Sequence, residues 1–276
     1  MRKDAYFEKG EKEMKIKGKK AAAALLAVFV LAGGLAGCRS SEAVKVSADP
    51  DTAGSQEQDE AEAARTAALQ ADAEKGLLVL VNKENSVSES YKPDDLESIK
   101  YYAEDRDPQW RYMRSEAADA FHRMVEAART EGIDFVMTTA YRSYGFQSIL
   151  WNNAIGRYGT EEAANQMVAK PGQSEHQSGL AVDVSSTEND YQLTESFGDT
   201  QAGKWLAANA ADYGFILRYA QDKTDVTGYG FEPWHFRYVG ETAAKEISES
   251  GLALEEYDQQ LLDEGILTQS DTMAEK

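Results

Sequence analysis

The sequence predicts an α+β domain with a small antiparallel sheet flanked by helices, and three observations carry that prediction. Short β-branched or apolar runs at residues 77–81, 133–139, 180–184, 215–219 and 236–239 alternate irregularly with longer amphipathic stretches. The chemistry-bearing residues sit in or beside these short runs. About 200 residues follow the low-complexity N-terminal part, enough for one core.

The chain of 276 residues opens with a targeting segment, residues 1–37. Eight Lys or Arg fall in residues 1–20, and residues 21–31 form an apolar run of eleven, short for a membrane span and suited to a signal sequence. Leu35-Ala36-Gly37-Cys38 then resembles the lipobox of bacterial lipoproteins, which implies lipidation at Cys38, the only cysteine. The expectation is an extracytoplasmic protein, lipid-anchored to a bacterial membrane without spanning it. Met14 offers an alternative start.

Residues 38–75 are rich in Ala, Ser, Gln, Asp and Glu and hold almost no large apolar side chains. They read as a flexible acidic tether, with at most a solvated helix over 60–75. The folded domain is placed at 76–276. Net charge is −19 for the chain; from Cys38 onward 21 basic face 44 acidic residues, or −23. So acidic a surface excludes nucleic acid as a partner and charge-driven binding to anionic lipid. With no cysteine left to pair, stability rests on the core and any bound metal.

Within the domain, 77–82 reads as a strand and 115–131 as an amphipathic helix with Ser115 as its cap. Its apolar face is Ala117, Phe121, Met124, Val125 and Ala128, and His122 lies beside that face, half-buried or exposed, with no ligand spacing around it. A strand over 133–139 leads through Tyr141, Arg142 and Ser143 into a helix over 146–156. Residues 185–200 read as a polar loop at a cleft rim. A helix over 203–213, a strand over 215–219, a strand over 236–239, a helix over 241–250 and a last helix within 252–267 complete the order, with 268–276 frayed.

Two short motifs concentrate the chemistry. Residues 174–183, SEHQSGLAVD, bring a histidine, a glycine turn and a carboxylate into ten residues; residues 232–235 read EPWH. Two of the three histidines fall in these motifs. A chain that turns at Gly179 and enters a strand returns Asp183 to the side of His176, and His235 supplies a second imidazole. Two histidines and one carboxylate leave a fourth position open, as in a catalytic zinc site, although non-haem Fe(II) enzymes use the same set. Glu232, held apart from His235 by Pro233 and Trp234, stands where a general base for an attacking water belongs. The implied chemistry is metal-assisted amide hydrolysis. Arg142 could neutralise developing charge or pin a carboxylate by a forked hydrogen bond.

Together, SxHxxGxAxD and ExWH resemble the zinc D-alanyl-D-alanine carboxypeptidases of the VanY type, which share the hedgehog/D,D-peptidase-like fold with lysostaphin-like peptidases; the LVNK opening at 80–83 is similar too. The resemblance covers about 76–260. It implies Zn2+ on His176, Asp183 and His235, Glu232 and Arg142 as catalytic residues, and substrate contacts at Gln147, Ser174, Tyr219 and Trp234. It also implies removal of the C-terminal D-alanine from peptidoglycan stem peptides; the enzyme is expected to be a monomer. The alternatives are an L,D-carboxypeptidase acting on tetrapeptide stems and a non-catalytic, zinc-stabilised wall-binding lipoprotein.

Overall fold

A computed structural model describes residues 50–273. Residues 1–37, read above as a targeting segment, and Cys38 lie outside the described residues. Four short strands form an antiparallel sheet: β3 (Val136–Thr139), β4 (Ala181–Ser185), β5 (Phe215–Leu217) and β6 (His235–Tyr238), in spatial order β3-β4-β6-β5. A separate two-stranded ribbon pairs β1 (Leu96–Ser98) with β2 (Tyr112–Arg114). Helices surround the sheet, as the irregular alternation of elements predicts.

Period-two alternation sorts the side chains of the sheet onto two faces. Val182, Val184, Phe215, Phe236 and Tyr238 join α2 (Ser115–Thr130) and α5 (Gln201–Asn209) in one apolar core. The intervening positions face the other way. Asp183 pairs with His235, Ala181 with Arg237, and Ile216 with Arg237, so the opposite face carries ionisable groups at one end and aliphatic ones at the other.

The aliphatic end is covered by a second cluster. It contains Leu69, Ala73, Leu78, Leu80, Ile216 and Val239 together with apolar residues of α7 (Glu241–Ser250) and α8 (Leu254–Asp263). Helix α3 (Tyr144–Tyr158) starts where the Ser143 hydroxyl accepts a hydrogen bond from the Phe146 N–H, and ends at Gly159, φ 86°. Two one-turn helices, α4 (Glu161–Ala164) and α6 (Thr224–Thr227), lie in connections.

Four expectations are corrected. Helix α1 (Pro50–Glu74) occupies most of the stretch read as a flexible tether, and its C-terminal half is docked: Leu69 is fully buried, and Arg65 forms ion pairs with Glu246 and Glu264. Composition hid this because only Leu69 and Ala73, four apart, supply the apolar contact. The packed core therefore takes in Leu69 and Ala73, ahead of residue 76. Residues 77–82 are buried but form no strand, since their backbone groups serve other partners: the Arg237 guanidinium donates to Leu77 O and Val79 O, and the Leu80 N–H donates to Thr272 O. That last bond also holds Thr272, which is buried although it lies in the stretch expected to fray. Finally, Ser115 is the first residue of α2 and not its cap; its N–H is satisfied by Asp95 O.

Candidate metal centre

Three adjacent strands and one turn bring the two motifs together. Residues Glu175–Ser178 form a single 3-10 turn ending at Gly179, whose φ of 72° lies in the left-handed region. A side chain there would be strained, and its Cβ would sit 3.0 Å from Leu96 Cδ2. The glycine thus lets the chain reverse from His176 into β4. Asp183, in the middle of β4, is flanked in register by Thr139 on β3 and His235 on β6. A tight turn, with the His235 N–H donating to Glu232 O, places Glu232 beside the same point.

One donor atom each from His176, Asp183 and His235 lies within 4.8 Å of the others, and all three residues are buried. His176 Nε2 is 3.3 Å from Asp183 Oδ2, and His235 Nδ1 is 3.0 Å from Asp183 Oδ1. Ligands of a tetrahedral zinc with bonds near 2.1 Å stand about 3.4 Å apart, and three donor atoms all within 4.8 Å of one another are grouped closely enough to share such an ion. His176 Nδ1 donates to Ala140 O at 2.7 Å, which leaves Nε2 as the nitrogen with a free lone pair. That Nε2 is buried without a hydrogen-bond partner, the condition of a ligand atom. Two imidazoles and a carboxylate suit zinc and leave room for a fourth ligand.

Electrostatics follow from this crowding. Burial holds the His176 pKa down to about 4, with Arg142 adding to the effect. Burial opposes charge on His235 as well, but hydrogen bonds to Asp183 and Glu175 prevail and raise it to about 9. Burial works against the Asp183 carboxylate; the two histidines nevertheless hold its pKa well below the ordinary value. The Thr139 hydroxyl donates to Asp183 Oδ2 at 2.5 Å and Arg142 Nη2 to the same oxygen at 3.2 Å.

A cavity of about 360 Å³ opens over this cluster, and every site residue expected from the sequence in the folded domain lines it. Glu232 Oε2 lies 3.8 Å from His235 Nδ1, and burial raises its pKa to about 7. Arg142 Nη1 donates to Gln147 Oε1 at 3.3 Å, and Gln147 Nε2 donates to Ala169 O at 2.7 Å, so the pair is braced against the cavity wall. The Tyr219 ring lies tilted beside the His235 ring, their centroids 4.8 Å apart, while Ser174 and Trp234 complete the wall.

His122 is not part of the site. It is buried rather than half-buried, its Nε2 accepts from the Lys100 N–H at 3.0 Å, and its ring meets Tyr101 edge-on. Two features escaped sequence reasoning. Tyr229 lines the cavity with a buried hydroxyl that has no hydrogen-bond partner. Glu175, inside the first motif, is fully buried against His235, Arg218 and Arg237. Its adjacency to His176 was the available signal.

Comparison with known proteins agrees with this geometry. The family model described as VanY, D-alanyl-D-alanine carboxypeptidase, matches residues 110–241. The chain is 46% identical over 183 residues to YodJ of Bacillus subtilis (strain 168), spanning 66% of this chain and 66% of that protein's length. Among solved structures, it resembles the LdcB LD-carboxypeptidase with a TM-score of 0.64 and 46% identity, covering 66% of this chain and 86% of that one. It also resembles a vancomycin-resistance D,D-pentapeptidase VanY in complex with Zn(II), with a TM-score of 0.56 and 32% identity, covering 66% and 98%. The fold, the His-Asp-His cluster and these likenesses lead to one assignment: the chain belongs to the VanY family of D-alanyl-D-alanine carboxypeptidases and is a zinc metallo-carboxypeptidase.

Proposed function

We propose that this carboxypeptidase removes the C-terminal D-alanine from peptidoglycan stem peptides. His176 Nε2, Asp183 and His235 Nδ1 hold the zinc. The observation that carries the reading is convergence: Glu232 and Arg142 reach the cavity above the three donor atoms, which a purely structural metal site does not require. The non-catalytic alternative is set aside with the family assignment.

Zinc, when bound, supplies Lewis acidity for the scissile carbonyl and for water. The remaining work belongs to the chain. Glu232 takes a proton from the attacking water as its oxygen bonds to the carbonyl carbon, and returns that proton to the departing D-alanine amine as the C–N bond breaks. Arg142 presents its guanidinium to the charge that develops on the carbonyl oxygen. Gln147 braces Arg142, while Ser174, Tyr219 and Trp234 shape the walls that orient the peptide.

Two bonds are candidates. The family description and the D,D-pentapeptidase likeness support cleavage between two D-alanines of a pentapeptide. The higher identity and TM-score with an LD-carboxypeptidase support cleavage of the L,D bond in a tetrapeptide. The resemblance of residues 35–38 to a lipobox supports anchoring through lipid on Cys38, which would present a monomeric enzyme to the wall at the membrane's outer face.

The test uses the compact unit from Ala48 onward, mixed with purified pentapeptide and tetrapeptide stems and followed by mass spectrometry with and without a chelator. Loss of one alanine from the pentapeptide, abolished by chelation and restored by zinc, establishes D,D cleavage. Loss from the tetrapeptide alone establishes L,D cleavage. Intact stems in the presence of zinc-loaded protein overturn the proposal.

A further inference from the structure

Glu175 is a carboxylate with 1% exposure that takes no part in the steps above. Its two oxygens have different duties. Oε1 accepts from Arg218 Nε at 2.8 Å and from Arg237 Nη1 at 2.9 Å. Oε2 lies 3.3 Å from His235 Nε2, on the side of the ring away from Asp183. The arginines are held in turn: Arg218 forms a two-pronged pair with Glu255 at 2.9 and 2.6 Å, and Arg237 donates to the carbonyls of Leu77, Val79 and Tyr238.

A buried ionic cluster of this kind is poor evidence for stability, because desolvation of four charges offsets most of their attraction and apolar side chains of similar size often do as well. A cluster that served only to pin strands and helix together would have no reason to direct one carboxylate oxygen at an imidazole nitrogen. The geometry points to Glu175 as a positioning residue for the metal centre: it accepts the His235 Nε2–H, so that Nδ1 is the nitrogen His235 presents to zinc. This rests on the assignment of His235 as a ligand.

The two ligand histidines are then fixed by opposite nitrogens and different acceptors. His176 gives Nδ1–H to the neutral carbonyl of Ala140 and presents Nε2; His235 gives Nε2–H to a carboxylate and presents Nδ1. A carboxylate acceptor makes its histidine the more basic ligand. The supports of Glu175 also reach outside residues 110–241. Leu77, Val79 and Glu255 come from the segments before and after the family-matched region, so those flanks complete the surroundings of the zinc.

The test compares zinc affinity, measured by chelator competition, in the wild-type protein, in Glu175→Gln and in Leu69→Ala. In Glu175→Gln an amide N–H₂ meets the Nε2–H, and zinc Kd is expected to rise about 10- to 100-fold. Leu69→Ala, which opens a cavity in the aliphatic cluster without touching Glu175 or its arginines, controls for lost stability and is expected to keep the wild-type Kd. A folded Glu175→Gln protein with wild-type zinc affinity overturns the inference.

Because that variant leaves two buried arginines short of a counter-charge, a second measurement needs no mutation. Long-range 1H–15N spectra of the zinc-loaded wild type are expected to show His235 protonated at Nε2 and metal-bound at Nδ1. Ligation through Nε2 overturns the positioning role. A zinc-loaded protein in which His235 is no ligand at all would instead sink the assignment of the site on which the role depends.

Discussion

The two faces of the four-stranded sheet are built from different kinds of contact. One is apolar throughout: alternate residues of the strands meet α2 and α5, which carry contiguous amphipathic patterns of their own. The other is divided. One end bears Asp183, His235 and Arg237, and the other end is closed by helices from the two extremities of the described chain, α1 and α8, with α7 between them. A face packed by hydrophobic burial tolerates approximate chemistry. The divided face does not, because each buried ion needs a particular partner at a particular distance.

Changes at the ionic end of that face should affect rate, and changes at its aliphatic end should affect stability. The largest expected effect is at Glu232. Replacing it with Ala removes the proton carrier and leaves the three donor atoms in place, so kcat is expected to fall by about 10²- to 10⁴-fold while zinc content is unchanged. Steady-state kinetics and metal analysis on the same preparation check this. Zinc lost along with activity would place Glu232 among the ligands and redraw the site.

The aliphatic end gives the converse. Leu69 on α1 is fully buried, and truncation to Ala is expected to lower unfolding free energy by about 2–5 kcal/mol. Urea denaturation reads that loss, and kcat/KM in the absence of denaturant should remain at the wild-type value. A parallel drop in kcat/KM would show that the docked helix reaches the catalytic end and that the division is false. A negligible loss of stability would return α1 to the role of a tether.

This division also explains what the sequence made legible. His176, Asp183 and His235 could be identified because a glycine turn and strand register bring them together, and both leave local marks. The helices of the apolar face could be placed for a similar reason, through their period. Glu175 stood next to His176 in plain view, yet its meaning depends on Arg218 and Arg237, 43 and 62 residues away. No spacing rule joins those three. Residues 77–82 look like a strand because they are apolar, but their backbone serves Arg237 and the C-terminal tail, neither of which leaves a periodic trace. The docking of helix α1 left no mark on the same grounds: two apolar side chains and one arginine hold it.

The smallest expected effect tests whether charge placed toward the aliphatic end is a burden there. Asp258 on α8 is 8% exposed, and burial, together with the neighbouring Glu255, raises its pKa from an ordinary 3.8 to about 7. A carboxyl that binds its proton more tightly in the folded protein than in the unfolded chain favours folding at low pH, and that contribution is lost as pH rises from about 4 through 7. Asp258→Asn removes the charge and keeps the shape. Its melting temperature should match the wild type near pH 4 and exceed it at pH 8, with the gap opening between those values and constant above them. A gap already present at pH 4, or one that shrinks as pH rises, would mean that the side chain contributes through packing or hydrogen bonding and that its ionisation is not a burden on the fold.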